Sequence, residues 1–361
     1  MMVAGVRMLA PPTIRTDSRH PNLSMDSPSH DDVKSHFTLL NVKNLSVEAH
    51  QAQGKPIPIL DQITFKISSG QSVGIFGESG CGKTSLARAL IGILPPALSV
   101  TSGSIVLDGE ELTGVGESIL RRLRGDTIAV VHQEAEGALH PLMSARDQIA
   151  EILRAHRPWN YRQCRMEAQG VLQQVFSKDS DRMARCYPHE LSGGQRQRVL
   201  IAQAIACGPR LLIADEPTAS LDLTTQSEII SLLYDLKRQH GMALVLISHN
   251  PSILRELCDR IIVMYAGRIV EHGSCESIFA NPLHPYTRAL LAIERRHSLR
   301  APGAKGKLAA IPGTAPDSAN LPSGCVYEPR CDVRIPRCTV TEPQVSPISP
   351  GRGVRCVLYE Q

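Results

Sequence analysis

Apolar residues follow two rhythms along this chain, and the rhythms alternate. Short apolar runs stand at SVGIF (72–76), TIAVV (127–131), LLIAD (211–215), ALVLI (243–247) and IIVMY (261–265). Runs this short and this apolar suit strands buried on both faces. Between them, helical patterns lie at Lys83 to Leu94, Ala145 to Ala155, Arg162 to Val175, Gly194 to Ala206 and Thr224 to Gln239. Their spacing puts an apolar stripe along one helix face. Alternating strands and helices predict an α/β domain with a mainly parallel core sheet. Three further strands are expected, at FTLLNVKNLSV (37–47), IPILDQITFKIS (57–68) and SIVLD (104–108).

The same pattern sets expected boundaries. Residues 1–36 include a stretch rich in Ser, Pro, Asp and His, and read as a disordered extension. Order begins near Phe37, and the main domain is expected over 37–273. The stretch from about 134 to 200 is mostly helical and breaks the alternation, so it reads as an inserted helical subdomain. After Gly273 prolines and short turns dominate, which marks a separate C-terminal region over 274–361. Met8 and Met25 are in-frame alternatives to the first methionine.

Composition narrows the function classes. The net charge is only +4 over 361 residues and there is no long basic run, so nucleic acid is not an expected partner. No stretch approaches eighteen uninterrupted apolar residues, so no transmembrane helix is expected and any membrane link goes through a partner. Arg7 interrupts the weakly apolar start, which speaks against a signal peptide. The chain has ten cysteines. Without a sign of secretion, they are not expected to form a disulfide framework.

The strongest chemistry is GESGCGKT, Gly77 to Thr84, which fits G-x-x-x-x-G-K-[ST] between a strand and a helix. Gly77, Gly80 and Gly82 let the backbone fold around phosphates, and the loop including Glu78, Ser79 and Cys81 turns its N–H groups inward. Lys83 is expected on the β/γ-phosphates, Thr84 on Mg²⁺, and Ser85 on phosphate. LLIADEPT supplies the acids: Asp215 ends an apolar strand and suits a hold on Mg²⁺, and Glu216 is the natural base for water.

ELSGGQRQRV, Glu190 to Val199, resembles the signature of ATP-binding cassette (ABC) ATPases. A Ser and two glycines open a helix there and make an anion site. The resemblance implies that Ser192, Gly193, Gly194 and Gln195 act on a γ-phosphate bound by a second cassette. It further implies Gln133 as the Q-loop residue, contributing to catalysis and to Mg²⁺, Asp222 in the D-loop with Ser220 and Leu221, and His249 as the switch histidine. Two stretches depart from the family: Ala49 and His50 stand where an aromatic for adenine is usual, and the Q-loop reads QEA rather than QDP.

NPLHPYTRALL, Asn281 to Leu291, and the following IPGTAPDSANLPSGCVYEPRC resemble the ATP-binding subunits of oligopeptide/dipeptide permeases, a group that includes nickel importers. The likeness runs from about Phe37 to Cys356. It implies an ATPase on the cytoplasmic face of the plasma membrane, using ATP and Mg²⁺. It also implies a second ABC ATPase subunit, often a distinct chain, two transmembrane permease subunits and an extracytoplasmic substrate-binding protein. Peptides are the expected cargo. A chelated metal such as nickel, or a soluble cassette ATPase of iron–sulfur assembly or DNA repair, are the alternatives.

Cys325, Cys331, Cys338 and Cys356 form a cluster spaced C-x5-C-x6-C-x17-C. Bare thiols, structural zinc and an iron–sulfur cluster on four thiolates compete for it. The family resemblance implies the [4Fe-4S] cluster. A loop-rich module with few aromatics buries little, which argues for some staple.

Overall fold

The apolar runs do form strands, and they lie side by side. The computed structural model describes residues 37–51, 54–132, 135–298 and 310–360. In chain order the first half has β1 (Thr38–Ala49), β2 (Ile57–Ser68), β3 (Ser72–Phe76), α1 (Lys83–Leu90), β4 (Leu98–Leu107), β5 (Glu110–Glu111), α2 (Glu117–Leu123) and β6 (Ile128–Val131). A helical stretch follows: α3 (Ala135–Ala138), α4 (Ala145–His156), α5 (Tyr161–Val175), α6 (Ser180–Met183) and α7 (Gly193–Ile205). Then come β7 (Leu211–Asp215), α8 (Leu223–His240), β8 (Ala243–Ile247), α9 (Pro251–Leu257), β9 (Arg260–Tyr265) and β10 (Arg268–Ser274). The last part holds α10 (Cys275–Ala280), α11 (Pro285–Ser298) and a hairpin of β11 (Val345–Ser349) and β12 (Arg352–Arg355).

Two sheets result. One is antiparallel, in the order β2-β1-β4-β5. The other runs β11-β12-β10-β9-β3-β8-β7-β6. Its centre is parallel: β3 pairs with β8 and β9, and β7 with β8 and β6. Successive side chains on these strands enter opposite cores, as a period of two requires. Leu211, Ile213, Ala243, Val245 and Ile247 join the core shared with the antiparallel sheet and α1. Leu212, Ala214, Leu244 and Leu246 join the core shared with α5, α7, α8 and the C-terminal region. Burial on both faces explains why these runs are apolar throughout rather than alternating.

The helical stretch between β6 and β7 starts from strong caps. Ser144 accepts from the Asp147 N–H, and Asn160 forms a reciprocal capping box with Gln163. The region after Gly273 joins the main sheet: β12 pairs with β10, and β11 with β12. Tyr286, Leu290, Val326, Tyr327 and Val357 are buried in the same core as α7 and β8.

Strand direction positions the site. β3, β7 and β8 are parallel neighbours, so the loops after Phe76, Asp215 and Ile247 all leave the same edge of the sheet. In open α/β sheets ligands gather at this carboxyl edge.

Candidate nucleotide site

The phosphate loop crosses from β3 into α1 under tight packing. A Cβ at Gly77 would run into the Met264 carbonyl. Gly82 has φ +102°, and a Cβ there would sit 2.9 Å from Leu60 Cδ2. Only glycine meets both demands at once. Gly82 also N-caps α1, so the first helical N–H groups face the loop. Gly80 has room around it, and Ser79 is exposed.

Lys83 is buried and lies along this loop. Its Nζ donates to the carbonyls of Gly77 (2.9 Å) and Glu78 (2.8 Å). The ammonium is thus held by two backbone carbonyls, with the Cys81 sulfur 3.8 Å away. Cys81 is buried, and burial pushes its thiol pKa up. That is the behaviour of a small filler, not of a reactive thiolate.

The acids stand where β7 ends. Asp215 is buried, and burial raises its pKa above the usual carboxylate range, opposed by a hydrogen bond with the Thr84 side chain. Its Oδ1 has no hydrogen-bond partner among the described residues. Thr84, Asp215, His132, Val130, Ala87, Arg88 and Ile91 line a cavity of about 240 Å³. A buried carboxylate with one unpartnered oxygen, beside a threonine hydroxyl, is a donor set suited to a hard divalent cation. The residues present therefore fit Mg²⁺.

Glu216 sits at φ +47°. Left-handed backbone is uncommon outside glycine and marks strained functional turns. Its own N–H donates to the Ile247 carbonyl (3.0 Å), which joins the ends of β7 and β8. The structure brings it together with His249, whose Nδ1 lies 3.4 Å from Glu216 Oε2. Gln133 lies outside the described residues.

The signature stretch is elsewhere. Ser192 caps α7, accepting from the Gln195 N–H, and Gln195 accepts from the Ser192 N–H (3.0 Å). Ser192, Gly194 and Gln195 line a separate cavity of about 250 Å³ with Lys178, Arg182, Arg198 and Thr225. It shares no lining residue with the cavity at Thr84 and Asp215. Asp222 caps α8, accepting from the Thr224 and Thr225 N–H groups (both 3.0 Å), which holds its pKa down. Thr225 in turn fills the space beside Gly194, where any Cβ would collide with it. The sequence-derived set thus falls into two separated groups, one at the phosphate loop and one at the start of α7. His50 pairs with Ser99 Oγ at 2.6 Å, at the end of β1.

Sequence reasoning missed two residues that touch the phosphate loop. Tyr286 Oη accepts from the Glu78 N–H at 2.8 Å. Arg330 makes a bidentate pair with the Glu78 carboxylate, at 2.7 and 3.1 Å. The HPYT sequence contains the first of these. There Glu271, fully buried, accepts from the N–H groups of Leu283 and His284 (both 2.9 Å). His284 Nδ1 accepts from the Tyr286 N–H (3.0 Å), which starts α11 and aims the Tyr286 ring at the loop.

His284 is wholly buried, and burial followed by the Arg288 charge pulls its pKa down to about 3 from 6.5. The folded state then binds fewer protons than the unfolded state between those values. Its contribution is complete above about pH 6.5 and is lost as pH falls towards 3. The slope from this one group approaches about 1.4 kcal/mol per pH unit. His284→Asn keeps a cap acceptor without the titration. Urea midpoints measured at pH 7.5 and 5 should fall less for the variant than for the wild type; equal falls would remove His284 as the cause.

The comparisons with known proteins bear on the family and the fold. The ABC transporter family matches residues 60–219, and the oligopeptide/dipeptide transporter C-terminal region matches residues 270–338. The oligopeptide transport ATP-binding protein AppD of Bacillus subtilis (strain 168) is 38% identical over 326 residues, covering 90% of this chain and 98% of its own. The dipeptide transport ATP-binding protein DppD of Escherichia coli (strain K12) is 40% identical over 320 residues, covering 89% and 96%. Among solved structures, a dimeric ATP-binding cassette in a post-hydrolysis state, bound to ADP and Pi, overlays with a TM-score of 0.58 at 27% identity. That overlay covers 65% of this chain and 98% of the cassette.

Fold and site together define an ABC-type ATPase. Within that class, the chain belongs to the ATP-binding proteins of the oligopeptide/dipeptide transporter family. No helix among the described residues is long and apolar enough to cross a membrane.

Proposed function

We propose that this chain powers an importer of di- and oligopeptides by hydrolysing ATP at the cytoplasmic face of the membrane. The observation that carries the reading is the separation of the two half-sites. Thr84 and Asp215 line one cavity of the chain, with Glu216 and His249 paired at the neighbouring strand ends, and Ser192, Gly194 and Gln195 line another. A second cassette, facing the first, supplies the missing half to each nucleotide.

In this scheme Lys83 leaves the loop carbonyls for the β/γ-phosphates, and the N–H groups from Ser79 to Ser85 close around them. Thr84 and Asp215, with Gln133, hold Mg²⁺, which when bound offsets phosphate charge. Glu216 accepts a proton from the attacking water, and His249, beside it, donates to the γ-phosphate. Ser192, Gly193, Gly194 and Gln195 cap the partner's nucleotide, with Asp222 fixing the joint. Closure on ATP and reopening after hydrolysis drive two permease subunits between two states. An extracytoplasmic binding protein delivers the peptide. The partner cassette is a related, distinct chain.

The test is a detergent pull-down of the tagged chain from its native membranes, with partners identified by mass spectrometry. Two polytopic proteins and a second cassette chain are the expected result. A chain recovered alone from the soluble fraction overturns the importer reading.

The four C-terminal cysteines hold a [4Fe-4S] cluster in the same proposal. Cys325, Cys331, Cys338 and Cys356 all line one cavity, walled by His284, Tyr327 and Val357. Burial, with the other three thiols adding, pushes Cys325 up to about 11. Thiols so placed stay protonated unless a cation compensates them. Among the described residues no group of three or more His, Cys, Asp or Glu is placed to hold a metal ion, so the proposal stands on the shared cavity and the family resemblance. Iron and acid-labile sulfide, assayed after anaerobic purification, should be found together. Zinc alone, or no metal, overturns the assignment.

A further inference from the structure

The Glu78–Arg330 pair joins residues 252 positions apart, from the second residue of the phosphate loop to the residue before Cys331. Every donor of Arg330 is committed. Nη1 donates to Glu78 Oε2 (2.7 Å) and Tyr265 Oη (3.3 Å); Nη2 donates to Glu78 Oε1 (3.1 Å) and the Ile311 carbonyl (3.3 Å); Nε donates to the Pro312 carbonyl (3.0 Å). The side chain is only 4% exposed, and its guanidinium lies over the Tyr265 ring. Tyr265, Tyr286 and Tyr327 pack ring against ring behind it, at centroid distances of 4.6 to 5.4 Å.

This is more than a surface pair. The fork holds the Glu78 carboxylate, Tyr286 holds the Glu78 N–H, and Lys83 holds the Glu78 carbonyl. All three polar groups of one loop residue are therefore fixed, two of them by the C-terminal region. A loop whose N–H groups must converge on phosphate gains affinity from being ordered beforehand. We propose that Arg330 is a positioning residue for the phosphate loop, acting through Glu78. The cysteine module that carries Arg330 thereby presets nucleotide affinity. This rests on the assignment of Gly77–Thr84 as the phosphate site.

Because the fork is planar and bidentate, lysine is no substitute. Removing one partner also leaves the other charge unpaired in a mostly buried place. Arg330→Lys and Arg330→Ala should each weaken binding of a fluorescent ATP analogue to the full chain by roughly tenfold, in KM more than in kcat. The double variant with Glu78→Ala should bind no more weakly than the worse single variant, since both changes remove one interaction. Glu78→Gln keeps the shape of the carboxylate and serves if the Arg330 variants fold poorly; it too should weaken binding. A folded Arg330→Ala with wild-type affinity, or losses that add in the double variant, overturns the proposal. So does a melting temperature that falls while affinity holds, which is the signature of a purely structural tie. Failure of the wild type to bind the analogue would count instead against the phosphate-site assignment.

Discussion

Glu216→Gln keeps ATP binding and loses turnover, by roughly two orders of magnitude or more. The expectation comes from placement. Glu216 follows the Mg²⁺-suited Asp215 directly, in a left-handed turn held by the Ile247 carbonyl, with His249 3.4 Å away. The amide keeps the shape and hydrogen bonds of the carboxylate but cannot take a proton from water. The loop residues expected on phosphate are unchanged, so the nucleotide should stay bound. Analogue binding and steady-state phosphate release, measured on one preparation, check both halves. Near-normal release would remove Glu216 as the base.

Lys83→Ala acts one step earlier and should abolish tight binding. The ammonium is buried and makes two charge-assisted bonds to the Gly77 and Glu78 carbonyls. Charged hydrogen bonds contribute roughly 1.5–3 kcal/mol each, so losing those to phosphate weakens binding by roughly 10²-fold or more. Fold stability should fall less, because alanine removes the charge together with its need for partners. Arginine is not an equivalent replacement, since its charge is spread over a planar fork rather than held at one point. Isothermal titration with ATP and Mg²⁺ checks it; an affinity within a few-fold of wild type would take Lys83 off the phosphates.

The core of this fold was legible because it is buried on both faces. β3, β6, β7, β8 and β9 each read as a short apolar run, and the structure finds each of them. β10 did not read as a strand, since RIVEHGS carries Arg268, Glu271 and His272. These residues are sheltered by partners distant in sequence: Arg268 by Asp61 and Glu342, and Glu271 by backbone N–H groups near His284. The hairpin β11–β12 was hidden for a different reason. Pro347 and Gly353 break a strand pattern, but β11 is an edge strand and tolerates proline. The same limit applies to the site. The phosphate loop, Asp215, Glu216 and the α7 start are local motifs with a local cause. Arg330 owes its place to a tertiary contact with no period or spacing to betray it.

The pairing of β12 with β10 also has a temporal side. A ribosome releases roughly 5–20 residues per second, so the 252 residues between Glu78 and Arg330 take roughly 10 to 50 s. During that interval the phosphate loop exists without its clamp. β10, once made, waits with an open edge, a template for unwanted strand pairing, until β12 arrives to cover it. A chain stalled or cut before residue 330 would carry every nucleotide motif and yet lack the fork on the Glu78 carboxylate. On the proposed role of Arg330, the late-made segment would thus complete the bracing of the loop well after the loop itself has been translated.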